Sequence, residues 1–348
     1  MADLLEAIRS ERATKRKPTR AAAFALTFIS PPGTAQFYLG QRRRAWLWAF
    51  AVPVAYAMYV LLLVGVPLRW AYGSFVCVAV IFFFGWRAAA LIDVFLVPSE
   101  RFQRLGALKV VGFFALSLAL TVAITLLTRA YVAEAFKIPS GSMIPTLLLN
   151  DDVLVAKGRF HARAPRRGEV AVFVSPDHPD QDYVKRVIGL PGDTVTVKRG
   201  HPWINGREVP HCKVAPAQPP GAEGPGETEV EILDGRAYLV YFESDRDVGL
   251  DEGPWRVAPS EVFVLGDNRN NSLDSRRFFE GRGGGVPFRN LKGPPLFIWL
   301  AFGGAGEVTW DRLGMPVDEI HLPEAMKSLD SAVRACLSAH AKELLPAK

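Results

Sequence analysis

Three short stretches of the chain gather side chains that could carry chemistry. The first is Pro139-Ser140-Gly141-Ser142-Met143-Ile144-Pro145-Thr146-Leu147. A serine hydroxyl is a weak nucleophile until an adjacent base takes its proton. Gly141 lets the backbone turn tightly and bring amide hydrogens close to an incoming carbonyl. Taken alone, a Ser/Gly/Pro surface loop explains this stretch better. The second runs from Asp182 to Asp193 and holds Lys185 inside a largely apolar, strand-like segment. With the two-residue period of a strand, Tyr183, Lys185 and Val187 share one face. A lysine facing a core is costly unless neutral or paired. Desolvation lowers its pKa and so makes it a base. An edge-strand lysine that prevents aggregation explains the segment equally well. The third, Gly266-Asp267-Asn268-Arg269-Asn270-Asn271-Ser272-Leu273-Asp274-Ser275-Arg276, concentrates donors and acceptors directly after the apolar run Val262–Leu265. A plain polar turn does not explain that density.

The elements that must position these groups are short strands. From Val132 onward, apolar runs of four to six residues alternate with Gly, Pro and Asp: 152–156, 169–174, 193–197, 237–242, 262–265 and 296–300. They are rich in Val, Ile, Phe and Tyr, which predicts a mainly β body of short antiparallel strands in folded, barrel-like sheets. No G-x-G-x-x-G or P-loop appears and no helices alternate with the strands, so a doubly wound nucleotide fold is excluded. Residues 210–226, rich in Pro, Ala and Gly, read as a surface loop within an insertion at about 194–259. Residues 282–285 read as a turn. The tail has helical spacing at Met326, Leu329, Val333, Cys336 and Leu337 and is expected to pack on the body.

The part before Arg129 differs. Residues 45–68, 70–86 and 110–128 are apolar all round and predict three membrane helices, with Pro53 tolerated inside the first. Arg9 to Arg20, Arg42–Arg44, and Arg87, Arg101, Arg104 and Lys109 mark the cytoplasmic side, so residues after Arg129 face the opposite side. Ala22–Ile29 is too short to span and is stopped by Ser30-Pro31-Pro32-Gly33; an interfacial or re-entrant segment is expected there. The layout is therefore a basic cytoplasmic segment (1–44), three spans (45–130), an exported body (131–316) and a helical tail (317–348).

The formal charge is +6. Residues 1–44 hold nine Lys/Arg against three Asp/Glu and so account for all of it. A neutral body argues against nucleic-acid binding. With 49% hydrophobic residues and 3 cysteines, the chain is neither disordered nor a disulfide-rich scaffold. Cys77 falls in the second span as a packing residue. Cys212 and Cys336 would face an oxidising compartment, their pairing open. His211-Cys212 has no partner pair at ligand spacing, so no metal is expected.

Taken together, the three stretches resemble type I signal peptidase, the bacterial leader peptidase family of membrane-bound Ser/Lys-dyad serine proteases. Ser-Gly-Ser-Met-x-Pro-Thr-Leu, Lys-Arg-x-x-Gly-x-Pro-Gly-Asp and Gly-Asp-Asn-Arg-x-x-Ser-x-Asp-Ser-Arg occur in family order, over about residues 130–315. The resemblance implies Ser142 as nucleophile and Lys185 as general base. Ser272 would hydrogen-bond Lys185, and the Ser140 hydroxyl with the Ser142 N–H would form the oxyanion hole. It implies Arg186, Asp274 and Arg276 as an ion-pair cluster beside the dyad. Phe136, Ile138, Met143, Leu147, Asp182, Tyr183 and Val184 would contact an extended substrate through shallow pockets that accept small-x-small sequences. It further implies exported preproteins as substrates, the lipid bilayer and the protein-export machinery as partners, no cofactor, and residence in the bacterial inner membrane with the body on the periplasmic side. One departure is Asn150-Asp151, where the family usually has Gly-Asp; Asn tolerates left-handed backbone. A specialised processing peptidase, or an inactive scaffold on the same fold, are the competing readings. A Ser-His-Asp hydrolase is weaker, because no histidine sits in a motif with a serine or an acid.

Overall fold

The computed structural model describes residues 18–65, 71–103, 105–216, 218–245, 251–304 and 306–344. The basic residues Arg9 to Lys17, the junction of the first two expected spans with Arg69, and Arg104 lie outside the described residues, as does the side chain of Cys77. The chain divides into two compact units, Met1–Ala130 and Tyr131–Lys348.

The first unit is helical. Helix α1 (Arg20–Ile29) is capped by Thr19, whose Oγ1 accepts the Ala22 N–H at 3.2 Å. Its 10 residues, about 15 Å of helix, are too few to span. It is followed by α2 (Thr34–Tyr38), α3 (Arg42–Gly65, with Pro53 inside), α4 (Ala71–Leu96) and α5 (Ala107–Tyr131). Among the described residues α5 alone is long and apolar enough to cross a bilayer.

Among the described residues the second unit carries fifteen strands in antiparallel sheets. Strands β1 (Ala133–Lys137), β2 (Asp151–Ala156) and β15 (Pro295–Ala301) form one sheet in the order β1-β2-β15. Strands β3 (Val170–Val174), β4 (Asp182–Gly189), β12 (Glu261–Leu265), β13 (Val286–Pro287) and β14 (Leu291–Gly293) form another, ordered β13-β12-β4-β3-β14. The two share a core built by pleat alternation: Val153 and Val155 of β2 pack with Val170 and Val172 of β3, Ile138 and Ile298. All six apolar runs singled out in the sequence are strands.

Residues 194–256 build two more sheets. One contains β5 (Thr194–Lys198), β6 (His201–Ile204), β7 (Arg207–Glu208) and β11 (Glu252–Arg256); the other contains β8 (His211–Pro216), β9 (Gly226–Leu233) and β10 (Arg236–Glu243). This segment is fused to the body, because Val195, Val197 and Val240 pack in one cluster with Ile188, Phe263 and Leu265. The loop expected at 210–226 is partly wrong, since β8 is an edge strand paired with β9 from His211 to Pro216. Its Pro and Ala content is tolerated because only one edge of the strand is paired.

The tail turns in a 3-10 segment, Glu324–Leu329, and continues as helix α6 (Asp330–Ala339). Met326, Leu329, Val333 and Cys336 pack on Val230, Ile232 and Leu239. Cys212 of β8 and Cys336 of α6 form a disulfide across 124 residues of chain.

Candidate active site

Lys185 lies in β4 opposite Ala171 of β3. It is only 4% exposed. The strand period puts it on the face of Tyr183 and Val187, which share an apolar cluster, and its Nζ lies 5.5 Å from the Tyr183 ring. Burial pushes its amine down to about 8 from an ordinary 10.5, and Arg276 acts the same way; the carboxylates of Asp274 and Asp267 oppose them. Lys185 Nζ and Ser142 Oγ are 2.6 Å apart. The ammonium form donates to the serine, whereas with the free amine the serine hydroxyl donates.

Ser142 sits in a loop fixed at both ends. Entry is an extension of the β1–β2 ladder: the Ile138 N–H donates to Asp151 O at 2.8 Å and the Asn150 N–H to Ile138 O at 2.9 Å. Met143, Ile144 and Leu147 anchor the loop by burial. From the other side the Asn268 N–H donates to Ser142 O at 3.1 Å and Asn268 Nδ2 to Gly141 O at 3.2 Å. Gly266 makes this approach possible, since a Cβ there would meet Ser142 O at 2.6 Å and Ser272 Oγ at 2.2 Å. The Ser140 hydroxyl is 3.3 Å from Ser142 Oγ.

Four buried ion pairs hold these segments. Arg186 and Asp267 form a two-pronged pair at 2.8 and 2.6 Å; Thr146 adds a hydroxyl to Asp267 at 2.6 Å, and Arg186 Nη1 donates to Gly168 O at 2.7 Å. Arg276 pairs with Asp274 through two bonds of 2.9 Å. Burial works to raise the Asp274 carboxyl, but Arg276 and the Gly266 N–H outweigh it and hold it below its usual value. Arg269 pairs with Glu231 and also donates to Gly200 O at 2.8 Å. At the loop exit Asp151 pairs with Arg312 at 3.0 and 2.5 Å, and Asn150 adopts φ +65°, a left-handed conformation that asparagine tolerates.

Two expectations are corrected. Arg186 is not part of the Asp274–Arg276 pair. Neighbouring residues of a strand point to opposite faces, so Arg186 leaves the Lys185 face and stacks at 4.0 Å on Tyr238. Ser272 does not hydrogen-bond Lys185: its hydroxyl is buried against Gly266 without a hydrogen-bond partner.

A groove of about 730 Å³ opens along Ser142 and Lys185. Phe136, Ile138, Met143, Asp182, Tyr183 and Val184 line it, as do Leu149, Glu223 and Leu273, which sequence reasoning missed. Leu147 does not: it is fully buried among Val153, Val170 and Ile298, because it follows the loop inward. Asp182 is held at the rim by Lys292 at 2.6 Å. Among the described strands β1 pairs only with β2, which leaves its other edge open beside the groove.

Residues 111–300 match the family described as signal peptidase, peptidase S26. Signal peptidase I of Pseudomonas aeruginosa is 35% identical over 197 residues, covering 51% of this chain and 69% of that protein. Signal peptidase I of Leptolyngbya laminosa is 36% identical over 199 residues, covering 55% and 81%. That of Rickettsia typhi is 30% identical over 227 residues, covering 56% and 80%. A family match over more than half the chain, together with such relatives, shows that the chain belongs to the signal peptidase family, peptidase S26, and is a serine endopeptidase.

Proposed function

We propose that the chain removes N-terminal signal peptides from exported preproteins with a Ser142/Lys185 dyad. The observation that carries this reading is the 2.6 Å approach of a buried lysine amine to a serine hydroxyl at the floor of a groove. The preprotein lies extended along the open edge of β1 and bonds through its main chain. Shallow apolar walls at Phe136, Ile138, Met143, Tyr183 and Val184 favour small side chains on either side of the cleavage point. The free amine of Lys185 takes the Ser142 proton as Oγ attacks the scissile carbonyl carbon. The Ser142 N–H and the Ser140 hydroxyl stabilise the oxyanion. The new ammonium then protonates the leaving amine, and a water attacks the acyl-enzyme by the same route in reverse.

The reading is tested with purified full-length protein in detergent and a preprotein carrying a small-x-small site. One cut, directly after that site, is the expected result; no cut, or cuts scattered along the chain, would sink it. The free amine is the active form, so kcat/KM should rise about tenfold per pH unit below 8 and level off near that value. A profile already flat from pH 6 would remove Lys185 from the role of base. Ser140→Ala should lower kcat by about 10²–10³-fold with little change in KM, as loss of an oxyanion donor does. A change confined to KM would contradict that role.

We also propose three membrane crossings, with residues 131–348 on the exported side of the bacterial inner membrane and the export machinery nearby. Two features support it: the apolar helix Ala107–Tyr131, and the concentration of arginine before 45 and between 87 and 109. A reporter fused after residue 105 should report the cytoplasm and one after 320 the opposite side. Both on the same side would refute the orientation.

A further inference from the structure

We propose that His201, His211 and Glu229 form a zinc-binding site, separate from the peptidase groove. His201 opens β6, His211 opens β8 and Glu229 lies in β9, so the cluster sits where two sheets of the 194–256 segment meet. One ligand atom of each lies within 4.8 Å of the others. Glu229 Oε2 is 3.7 Å from His201 Nε2 and 3.9 Å from His211 Nε2.

The chemistry of these three atoms points to a cation. Glu229 is 2% exposed, and its Oε2 is buried with no hydrogen-bond partner. A buried, unpaired carboxylate oxygen is costly unless something positive meets it. Each imidazole has its other nitrogen next to an acceptor. His211 Nδ1 is 3.2 Å from Val209 O, and His201 Nδ1 is 3.5 Å from Glu231 Oε1. His201 Nδ1 makes no hydrogen bond, but in the Nδ1–H tautomer of both rings, which Val209 O favours for His211, both Nε2 lone pairs face Glu229. Three electron-pair donors then converge with no donor hydrogen among them. Backbone carbonyl and carboxylate partners on the far ring nitrogen are the usual outer support of a metal-bound histidine.

Two imidazoles and a carboxylate suit zinc, with water as the fourth ligand. The rings are now stacked, with centroids 3.9 Å apart and planes 10° apart. Zinc bonds of about 2.0–2.1 Å in a tetrahedron need donors roughly 3.3 Å apart. Binding therefore draws each histidine nitrogen a few tenths of an ångström closer to Glu229 Oε2 and opens the stack by rotation about Cβ–Cγ. Side-chain exposures of 15% and 25% leave both rings room to turn and the ion a way in. The cluster escapes a reading along the chain because neither histidine has a ligand partner at short spacing; antiparallel pairing brings the three together. Cys212 and Cys336 do not compete, being joined in a disulfide.

The test uses the full-length protein in detergent, with any histidine tag removed and metal stripped by a chelator. Zinc is titrated by calorimetry, and cobalt serves as a spectroscopic stand-in. One equivalent of zinc should bind, a four-coordinate cobalt spectrum should appear at the same stoichiometry, and zinc should raise the melting temperature. His211→Ala, at a partly exposed position, should weaken zinc binding at least about 100-fold while its metal-free melting temperature stays near that of the parent. Glu229→Gln should do likewise, and His178→Ala should change nothing. No bound equivalent, or one that persists in both His211→Ala and Glu229→Gln, would overturn the site. Since none of these readouts uses peptide cleavage, the site stands or falls apart from the Ser142/Lys185 proposal.

Discussion

Lys185→Met should leave a folded protein whose kcat for preprotein cleavage is lower by about 10⁴-fold or more, the scale seen when a hydrolase loses its nucleophile or base. Methionine keeps the length and burial of the side chain and removes only the amine. Ser142→Ala should fall as far, and the double variant little further, because the two groups act as one unit. Lys185→Arg should fail as well, since a guanidinium cannot be deprotonated. Stability separates lost chemistry from lost fold. The Lys185 amine is lower in the folded state, about 8 against 10.5. Below about pH 8 both states hold the proton, and the native state carries the full cost of a buried ammonium. Between about 8 and 10.5 only the unfolded chain is protonated, so stability rises with pH across that window. Lys185→Met removes this dependence. At pH 7 it should melt no lower than the parent while cutting nothing. Residual turnover above about one-hundredth of the parent value would remove Lys185 from the mechanism.

Asp267→Asn is the second large effect, and it falls on stability. Asp267 is 1% exposed and accepts two bonds from Arg186 and one from Thr146. Asparagine leaves the Arg186 guanidinium buried without its counter-charge. Removing one partner of a buried ion pair costs about 3–5 kcal/mol. Thr146→Val removes the bond to Asp267 and the longer 3.3 Å bond accepted from Arg186, and should cost about 2 kcal/mol. Arg186→Met with Asp267→Leu should recover much of the loss, because apolar groups of similar volume replace a buried pair at little or no net cost. Denaturant unfolding of the four proteins measures this. Equal midpoints for Asp267→Asn and parent would show that the pair contributes nothing.

The sheet body was legible because each strand announces itself locally: Val170–Val174 and Val262–Leu265 are apolar runs bounded by turn residues. The members of the proposed dyad, Ser142 and Lys185, were legible as residue types, and the two-residue period already put Lys185 on the face of Tyr183. Partnerships were not. Arg186 and Asp267 stand 81 positions apart, and only the pairing of β4 with β12 brings them together. Leu147 carries an apolar side chain in a site motif, and sequence alone does not say whether such a residue faces a groove or a core. Glu223 reaches the groove from a Pro-rich loop with no periodicity to read. β8 was missed because its composition suits a loop; tertiary pairing overrides propensity there.

The bridge between Cys212 and Cys336 turns the molecule into a recorder of its own delivery. Thiols oxidise on the outer side of a bacterial membrane and stay reduced within the cell. Under the proposed orientation, correctly inserted copies hold the last helix by a covalent tether and resist a maleimide at both positions. Copies inserted the wrong way round would take up two labels more, Cys77 being common to both, so the difference in adducts by mass reads insertion fidelity without any fusion partner.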